Sequence, residues 1–187
     1  IFIKKIGNII MKDQNNLNEI MQHRLQKLTN IKNNGHNPYP YNFKRTHNID
    51  TIINENKIDT SVAIAGRIIS FRKMGKASFC HIQDMTGQIQ LYLKNDLLPD
   101  NIYDDIVRNL DLGDIIGCSG IIFITKKGEI SLKVNNLNIL SKNIRPLPNL
   151  KEKDGFAFNS FDDKELRYRH RQLDLIANPK VINIFKK

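Results

Sequence analysis

The chain has 187 residues, of which 40% are apolar and 26% charged, and only 16 are Gly or Pro. These figures exclude a collagen-like or wholly disordered chain and suit one domain of ordinary size with appendages. Lys and Arg exceed Asp and Glu by 29 to 19, a net charge of +10 that points to a polyanionic partner, although 29 Ile, 23 Asn and 20 Lys also reflect the bias of an A/T-rich coding sequence. No apolar run approaches the ~18–20 residues that span a bilayer, so no membrane partner is expected. Residues 1–10 are apolar but hold Lys4 and Lys5 and lack a small-residue cleavage site, against a signal peptide. Met11 heads a more polar stretch and is a candidate true start, with residues 1–12 read as an N-terminal extension.

In chain order, Leu17, Ile20, Met21, Leu25, Leu28 and Ile31 fall on one face of a helix between Asn16 and Asn34. Gly35 supplies its C-terminal stop, and Asn37-Pro38-Tyr39-Pro40 cannot continue it. Residues 37–60 read as a polar connector, so that 13–60 form a helix-and-connector segment. From residue 61 the apolar period drops to 2. Val62–Phe71 is a β-branched strand, Met74-Gly75-Lys76 a turn, and Ala77–Asp84 a second strand. Thr86-Gly87 turns into Gln88–Lys94, a short helix is expected over Tyr103–Leu110, and a strand over Asp114–Thr125. A turn at Lys127-Gly128 leads into Glu129–Val134. Five strands with a helix between the third and fourth is the order of an OB-fold barrel, here assigned to residues 61–145 in a mainly β protein; a five-stranded sandwich is the structural alternative. Arg145-Pro146-Leu147-Pro148 closes the unit, and Lys151–Phe161 reads as a loop. From Asp163 a helical segment with Leu166, Leu173 and Ile176 runs to a break at Asn178-Pro179, after which Val181, Ile184 and Phe185 begin another apolar face.

Strand parity carries the functional reading. Cys80 and Ile82, Ile89, Leu91 and Leu93, and Ile130, Leu132 and Val134 must face the core. The opposite face then presents Phe79, His81, Gln90, Tyr92, Glu129 and Lys133. Aromatic rings among amide and charged groups suit single-stranded nucleic acid, because rings stack bases and Gln or Glu bonds base edges. The competing account has Phe79 covered by the N-terminal helix and Gln90 and Glu129 as ordinary surface. Arg67, Arg72, Lys73 and Lys76 precede any acid between Val62 and Gln83, a charge run suited to a phosphate backbone. Arg167, Arg169, His170 and Arg171 read better as a solvated or interface-forming helix than as an RNA contact.

Catalytic signatures are absent: no Walker loop, GxSxG, HExxH or dinucleotide fingerprint occurs. Asp84, Asp96, Asp104 and Asp105 have no placed partner and read as acidic surface. Cys80 and Cys118 are isolated and the five His scattered, so the thiols read as small buried hydrophobes of a reducing compartment and no metal site is expected.

Three groups of residues carry a resemblance. They are Val62-Ala63-Ile64-Ala65-Gly66-Arg67 with Met74-Gly75-Lys76-Ala77-Ser78-Phe79; Ile82-Gln83-Asp84, Gly87 and Ile89-Gln90-Leu91-Tyr92; and Asp111-Leu112-Gly113-Asp114-Ile115-Ile116-Gly117, Thr125-Lys126-Lys127-Gly128-Glu129-Ile130-Ser131, the Arg145–Pro148 run and Arg167–Leu175. In this order they resemble the anticodon-binding portion of bacterial-type class II lysyl-tRNA synthetases, from about Asn15 onward. Aspartyl- and asparaginyl-tRNA synthetases share the barrel but not this GKASF, TKxGE and RPLP combination.

The resemblance implies recognition of a uridine-rich anticodon of lysine tRNA, with Phe79 stacking on the middle uridine and Arg72, Gln90 and Glu129 contacting its edge or its neighbours. It implies a homodimeric, cytoplasmic enzyme that uses ATP and Mg2+ to join lysine to tRNA, with no DNA partner. The motifs that bind ATP and lysine are not among these 187 residues and are expected after Lys187, residues 146–187 being the lead into that catalytic domain. No catalytic residue, cofactor or metal is therefore expected within the chain itself. The alternative is a free-standing, non-enzymatic OB-fold module that binds tRNA or single strands.

Overall fold

A computed structural model describes residues 2–99, 101–147, 152–153, 156–157, 163–177 and 179–185, and the side chains of 17–99, 101–147, 163–176, 181–182 and 184–185. It divides into two compact units, residues 1–146 and 147–187.

The first unit is a closed five-stranded barrel. β1 (Ser61–Met74), β2 (Ala77–Gln83), β3 (Gln88–Lys94), β4 (Ile115–Ile124) and β5 (Ile130–Ser141) close in the order β1-β2-β3-β5-β4. All pairs are antiparallel except β3 with β5, which is parallel. The interior is filled by the inward residues of each strand: Val62, Ile64 and Ile68; Cys80 and Ile82; Ile89, Leu91 and Leu93; Ile116, Cys118 and Ile122; and Leu132, Val134, Leu137 and Ile139, all buried. The barrel, not the sandwich, is what this pattern builds. Both thiols are free and buried, and burial pushes each well above the ordinary thiol range.

Close approach requires glycine at Gly120 and Gly117, among others. A Cβ on Gly120 would lie 2.0 Å from the Lys133 carbonyl oxygen, and one on Gly117 would meet the Phe43 ring at 2.7 Å. Opposite Gly120 the β4–β5 register slips, Ser119 pairing with Asn136 and Gly120 with Val134, so Asn135 is the extra residue. The slip lets Val134 and Leu137 both point inward, three residues apart.

The expected helix at Tyr103–Leu110 is shorter and broken: α3 (Ile102–Asp105) is followed by a 3-10 turn at Val107–Asn109. Tyr103, Ile106, Val107 and Leu110 are nonetheless buried, and the Tyr103 hydroxyl pairs with Ser78 Oγ at 2.8 Å.

The N-terminal helix, α1 (Phe2–Asn33), begins well before Asn16. It ends as expected at Gly35, where φ is +83°, with Gly35 N–H donating to Lys32 and His36 N–H to Ile31. Of its apolar stripe only Ile31 is fully buried, while Ile20 and Leu25 are exposed. Polar side chains hold it to the barrel instead. Arg24 donates to the Asn143 carbonyl at 3.0 Å, Lys27 pairs with Asp111, and Asn34 donates to Asp105 at 2.7 Å.

Asp111 belongs to a buried charge cluster. Lys142, with no exposed side chain, reaches Asp111 at 2.6 Å and Asp114 at 2.8 Å, and Asp114 also accepts from the backbone N–H of Asn143 and Asp111. Burial works to raise both carboxyls. In Asp111 the bonds from Lys142 and Lys27 outweigh it and hold the group below the ordinary carboxylate range, whereas in Asp114 burial wins and the group sits above it.

The connector at 37–60 is not merely polar. It contains α2 (Ile49–Asn54), whose Ile49 and Ile52 are fully buried in the common core. Asn48 gives α2 no side-chain cap; the β2–β3 turn does, Asp84 accepting from Ile49 N–H at 3.1 Å and Thr86 Oγ1 from Asp50 N–H at 3.2 Å. Asp84 also accepts from Thr86 N–H, Thr86 Oγ1 and Gly87 N–H, so it is a structural hub and not acidic surface. Burial alone would raise its carboxyl, but these bonds outweigh it and hold the group below its ordinary value. Asp105 likewise has partners, Asn34 and His36, and Asp104 and Asp96 pair with Arg108 and Lys94.

In the second unit, β6 (Glu152–Lys153) pairs antiparallel with β7 (Phe156–Ala157), within the stretch expected as a loop; the rest of that stretch, like Pro148 and Asn178, lies outside the described residues. Asp163 caps α4 (Lys164–Arg169), which is followed by α5 (Arg171–Ala177) and α6 (Pro179–Phe185). Buried Asp174 accepts from Arg167 Nε at 2.7 Å and Arg171 Nη1 at 2.8 Å, and Arg169 pairs with Glu165. Arg167 and Arg171 tie the helical unit together through Asp174, while Leu166 is exposed.

Candidate nucleic-acid interface

With Cys80, Ile82, Leu91 and Leu93 turned inward, the pleat turns Phe79 and His81 of β2 and Gln90 and Tyr92 of β3 outward. Phe79 and Tyr92 are direct cross-strand partners with ring centroids 5.1 Å apart and planes tilted 38°. Phe123 of β4 adds a third ring, edge-on to Tyr92 at 6.2 Å. The sequence reading missed Phe123, although its neighbour Ile122 is core and the strand period places Phe123 outside. All three rings are half-buried. The described side chains of α1 bond Asp111 and Asn143, and Asn34 just beyond it bonds Asp105.

Beside this aromatic row runs a polar one. Glu129 sits in the β4–β5 turn, fixed by Thr125: Glu129 N–H donates to Thr125 Oγ1 at 3.1 Å, and Thr125 N–H to the Glu129 carbonyl at 2.9 Å. Gly128, at φ +82°, makes that turn possible. The Glu129 carboxylate meets His81 Nε2 at 2.9 Å on Oε1 and Gln90 Nε2 at 2.8 Å on Oε2. Ser131 Oγ in turn donates to Gln90 Oε1 at 3.0 Å. His81 and Gln90 are direct partners on β2 and β3, and Gln90 and Ser131 on β3 and β5.

Arg72 pairs directly with Phe79 across β1 and β2, which puts it on the same outer face. It is exposed and makes no hydrogen bond or ion pair with another described side chain. Arg72, Phe79, Gln90 and Glu129 thus lie on three adjoining strands and one turn of a single barrel face. The basic hairpin divides. Arg67 donates to the Gly113 carbonyl at 2.9 Å and Lys73 to the Arg108 carbonyl at 2.9 Å, with Lys73 also 5.2 Å over the Phe71 ring. Burial lowers both groups below their ordinary range. Lys73 stays exposed but its ammonium is committed to the Arg108 carbonyl, whereas Arg72 and Lys76 are exposed and make no hydrogen bond or ion pair with another described side chain.

Among the described residues no group of three or more His, Cys, Asp or Glu side chains is arranged to hold a metal ion, and no helix is long and apolar enough to cross a membrane.

Residues 62–140 match the tRNA anti-codon family of OB-fold nucleic acid binding domains. The chain is 44% identical over 171 residues to a lysine--tRNA ligase of Carboxydothermus hydrogenoformans, covering 90% of this chain and 33% of that protein. To those of Pelotomaculum thermopropionicum and Halalkalibacterium halodurans it is 45% and 39% identical over 92% and 94% of its own length. It spans about a third of the length of these curated relatives. The barrel at residues 62–140 is thus similar to the OB-fold domains of the tRNA anti-codon family, and the chain that carries it is similar to lysine--tRNA ligases along nine-tenths of its sequence.

Proposed function

We propose that this chain reads the anticodon of a lysine tRNA on the outer face of its barrel, as part of an enzyme that joins lysine to that tRNA. The observation that supports this most is the juxtaposition of the Phe79–Tyr92–Phe123 row with the Gln90–Glu129 pair on one exposed sheet surface. A ring there stacks an unpaired base, and the carboxylate accepts from a base edge. Phe79 is assigned to the middle uridine, Gln90 and Glu129 to base edges, and Arg72 to the edge or the adjoining backbone.

Such a ligation uses ATP and Mg2+, and among the described residues no group of three or more His, Cys, Asp or Glu side chains is arranged to hold a metal ion. Adenylation and the pairing of two copies are proposed for the two thirds of the relatives' length outside the match. A cytoplasmic setting fits the two free thiols.

The test is binding of an anticodon stem-loop carrying UUU. Phe79→Ala should lose roughly 1–3 kcal/mol of affinity, about 5- to 150-fold. Its melting temperature should stay near that of the parent, because Cys80 and Ile82, not Phe79, fill the core. A variant that melts several degrees lower yet binds UUU normally would make Phe79 a packing residue and end the assignment.

A further inference from the structure

We propose that His81 and Ser131 are positioning residues that preset Glu129 as a base-edge acceptor, and that the specificity of the face depends on them although neither touches the base. The inference rests on the anticodon reading above.

The Glu129 side chain is 45% exposed and stands in a turn, a place where a glutamate ordinarily samples several rotamers. Here each oxygen has its own donor, His81 Nε2 on Oε1 and Gln90 Nε2 on Oε2, at 2.9 and 2.8 Å. A carboxylate offers about four lone-pair sites, so this leaves acceptor capacity for a ligand while removing the freedom to rotate.

One of the two donors, Gln90, is itself fixed. Ser131 Oγ is buried and donates to Gln90 Oε1 at 3.0 Å, which turns the amide nitrogen toward the carboxylate; the flipped amide would set oxygen against oxygen. A carboxylate has no proton to give, so the His81 Nε2 facing it must carry one. Three strands thereby orient one acceptor before any ligand arrives. A base with an N–H on its pairing edge, such as uracil at N3, meets an acceptor already aimed. Cytosine presents a bare N3 acceptor at the same place and is repelled. A glutamate free to swing would step aside for it.

The experiment measures affinity of the 187-residue chain for stem-loops carrying UUU and UCU, with thermal melts alongside. His81→Leu removes the donor and should cut the UUU-over-UCU preference about three- to tenfold, with a smaller loss in UUU affinity itself. His81→Gln, whose amide nitrogen can take the place of Nε2, should keep the preference. Ser131→Ala should lower it in the same direction. Glu129→Ala should abolish it, and His81→Leu added to that change should do nothing more.

A preference lost on Glu129→Ala but unchanged by His81→Leu overturns the proposal and leaves the anticodon reading standing. Equal losses for His81→Leu and His81→Gln also overturn it, since the donor would not be what matters. A parent chain without preference, or a Glu129→Ala variant that keeps it, overturns both.

Discussion

Glu129 and Asp114 are both carboxylates held by more than one donor, yet one is about half exposed and the other is fully buried. Glu129 takes side-chain donors from His81 and Gln90 on the barrel's outer face, with room left for another molecule. Asp114 takes Lys142 and two backbone N–H groups at the seam where α1 docks, and it is closed to solvent. The same chemistry therefore serves two ends. In water the grip costs little stability and leaves a ligand to be chosen; out of water it commits the fold, because a buried charge that loses its partner has nowhere to go.

The largest expected effect breaks the buried member. Lys142→Ala should destabilise the chain by about 3–5 kcal/mol in urea unfolding, since Asp114 would keep only its backbone donors and Asp111 only Lys27. Glu129→Ala should change stability by no more than about 0.5 kcal/mol, as surface substitutions do. Similar losses for the two would erase the contrast.

Asp84 lies between these extremes, half-buried and bonded to the turn it belongs to and to the start of α2. Asp84→Ala should cost about 1–3 kcal/mol, because the Ile49 and Gly87 amides lose their acceptor. Its folded carboxyl sits below the usual value of about 3.9, so its contribution is present above that pH and disappears as pH falls through the lowered folded value. Acid unfolding of Asp84→Ala, followed by circular dichroism, should show a shallower dependence below about pH 4 than the parent; an unchanged acid limb would make the bonds to the turn dispensable.

The smallest effect separates two cations of one hairpin. Arg72→Gln should lower the slope of log affinity against log salt by about 0.7–1, as loss of one phosphate contact does. Lys73→Gln should leave the slope alone and lower the melting temperature slightly, since Lys73 bonds the Arg108 carbonyl. Equal slope changes would return Lys73 to the phosphate-binding set.

Period-2 alternation was enough to find the five strands and to turn Phe79, His81, Gln90 and Tyr92 outward, because a buried barrel face tolerates no one-residue slip. It did not reveal α2. Three isoleucines in a polar stretch, two of them buried, give too short a pattern, and the cap that starts the helix comes from Asp84, 35 residues away. Nor could spacing show that Arg67 and Lys73 bond carbonyls 46 and 35 residues on, or that His81 meets Glu129 across 48 residues. The slip at Asn135 was readable in the interval from Val134 to Leu137, as Phe123 was from Ile122. What stayed hidden was long-range pairing of polar groups, which leaves no periodic trace.

The parallel ladder between β3 and β5 joins Gln90, Leu91 and Tyr92 to Ser131, Leu132 and Lys133 over three residues, where every other ladder in the barrel runs to seven or more. It is the barrel's shortest zipper, and so the natural place for it to unfasten in thermal fluctuation. Phe79, Tyr92 and Gln90 stand on one side of that zipper and Glu129 on the other, so the face is whole only while the barrel is shut. An RNA loop laid across both sides would act as a clasp, holding closed the one joint on which its own recognition depends.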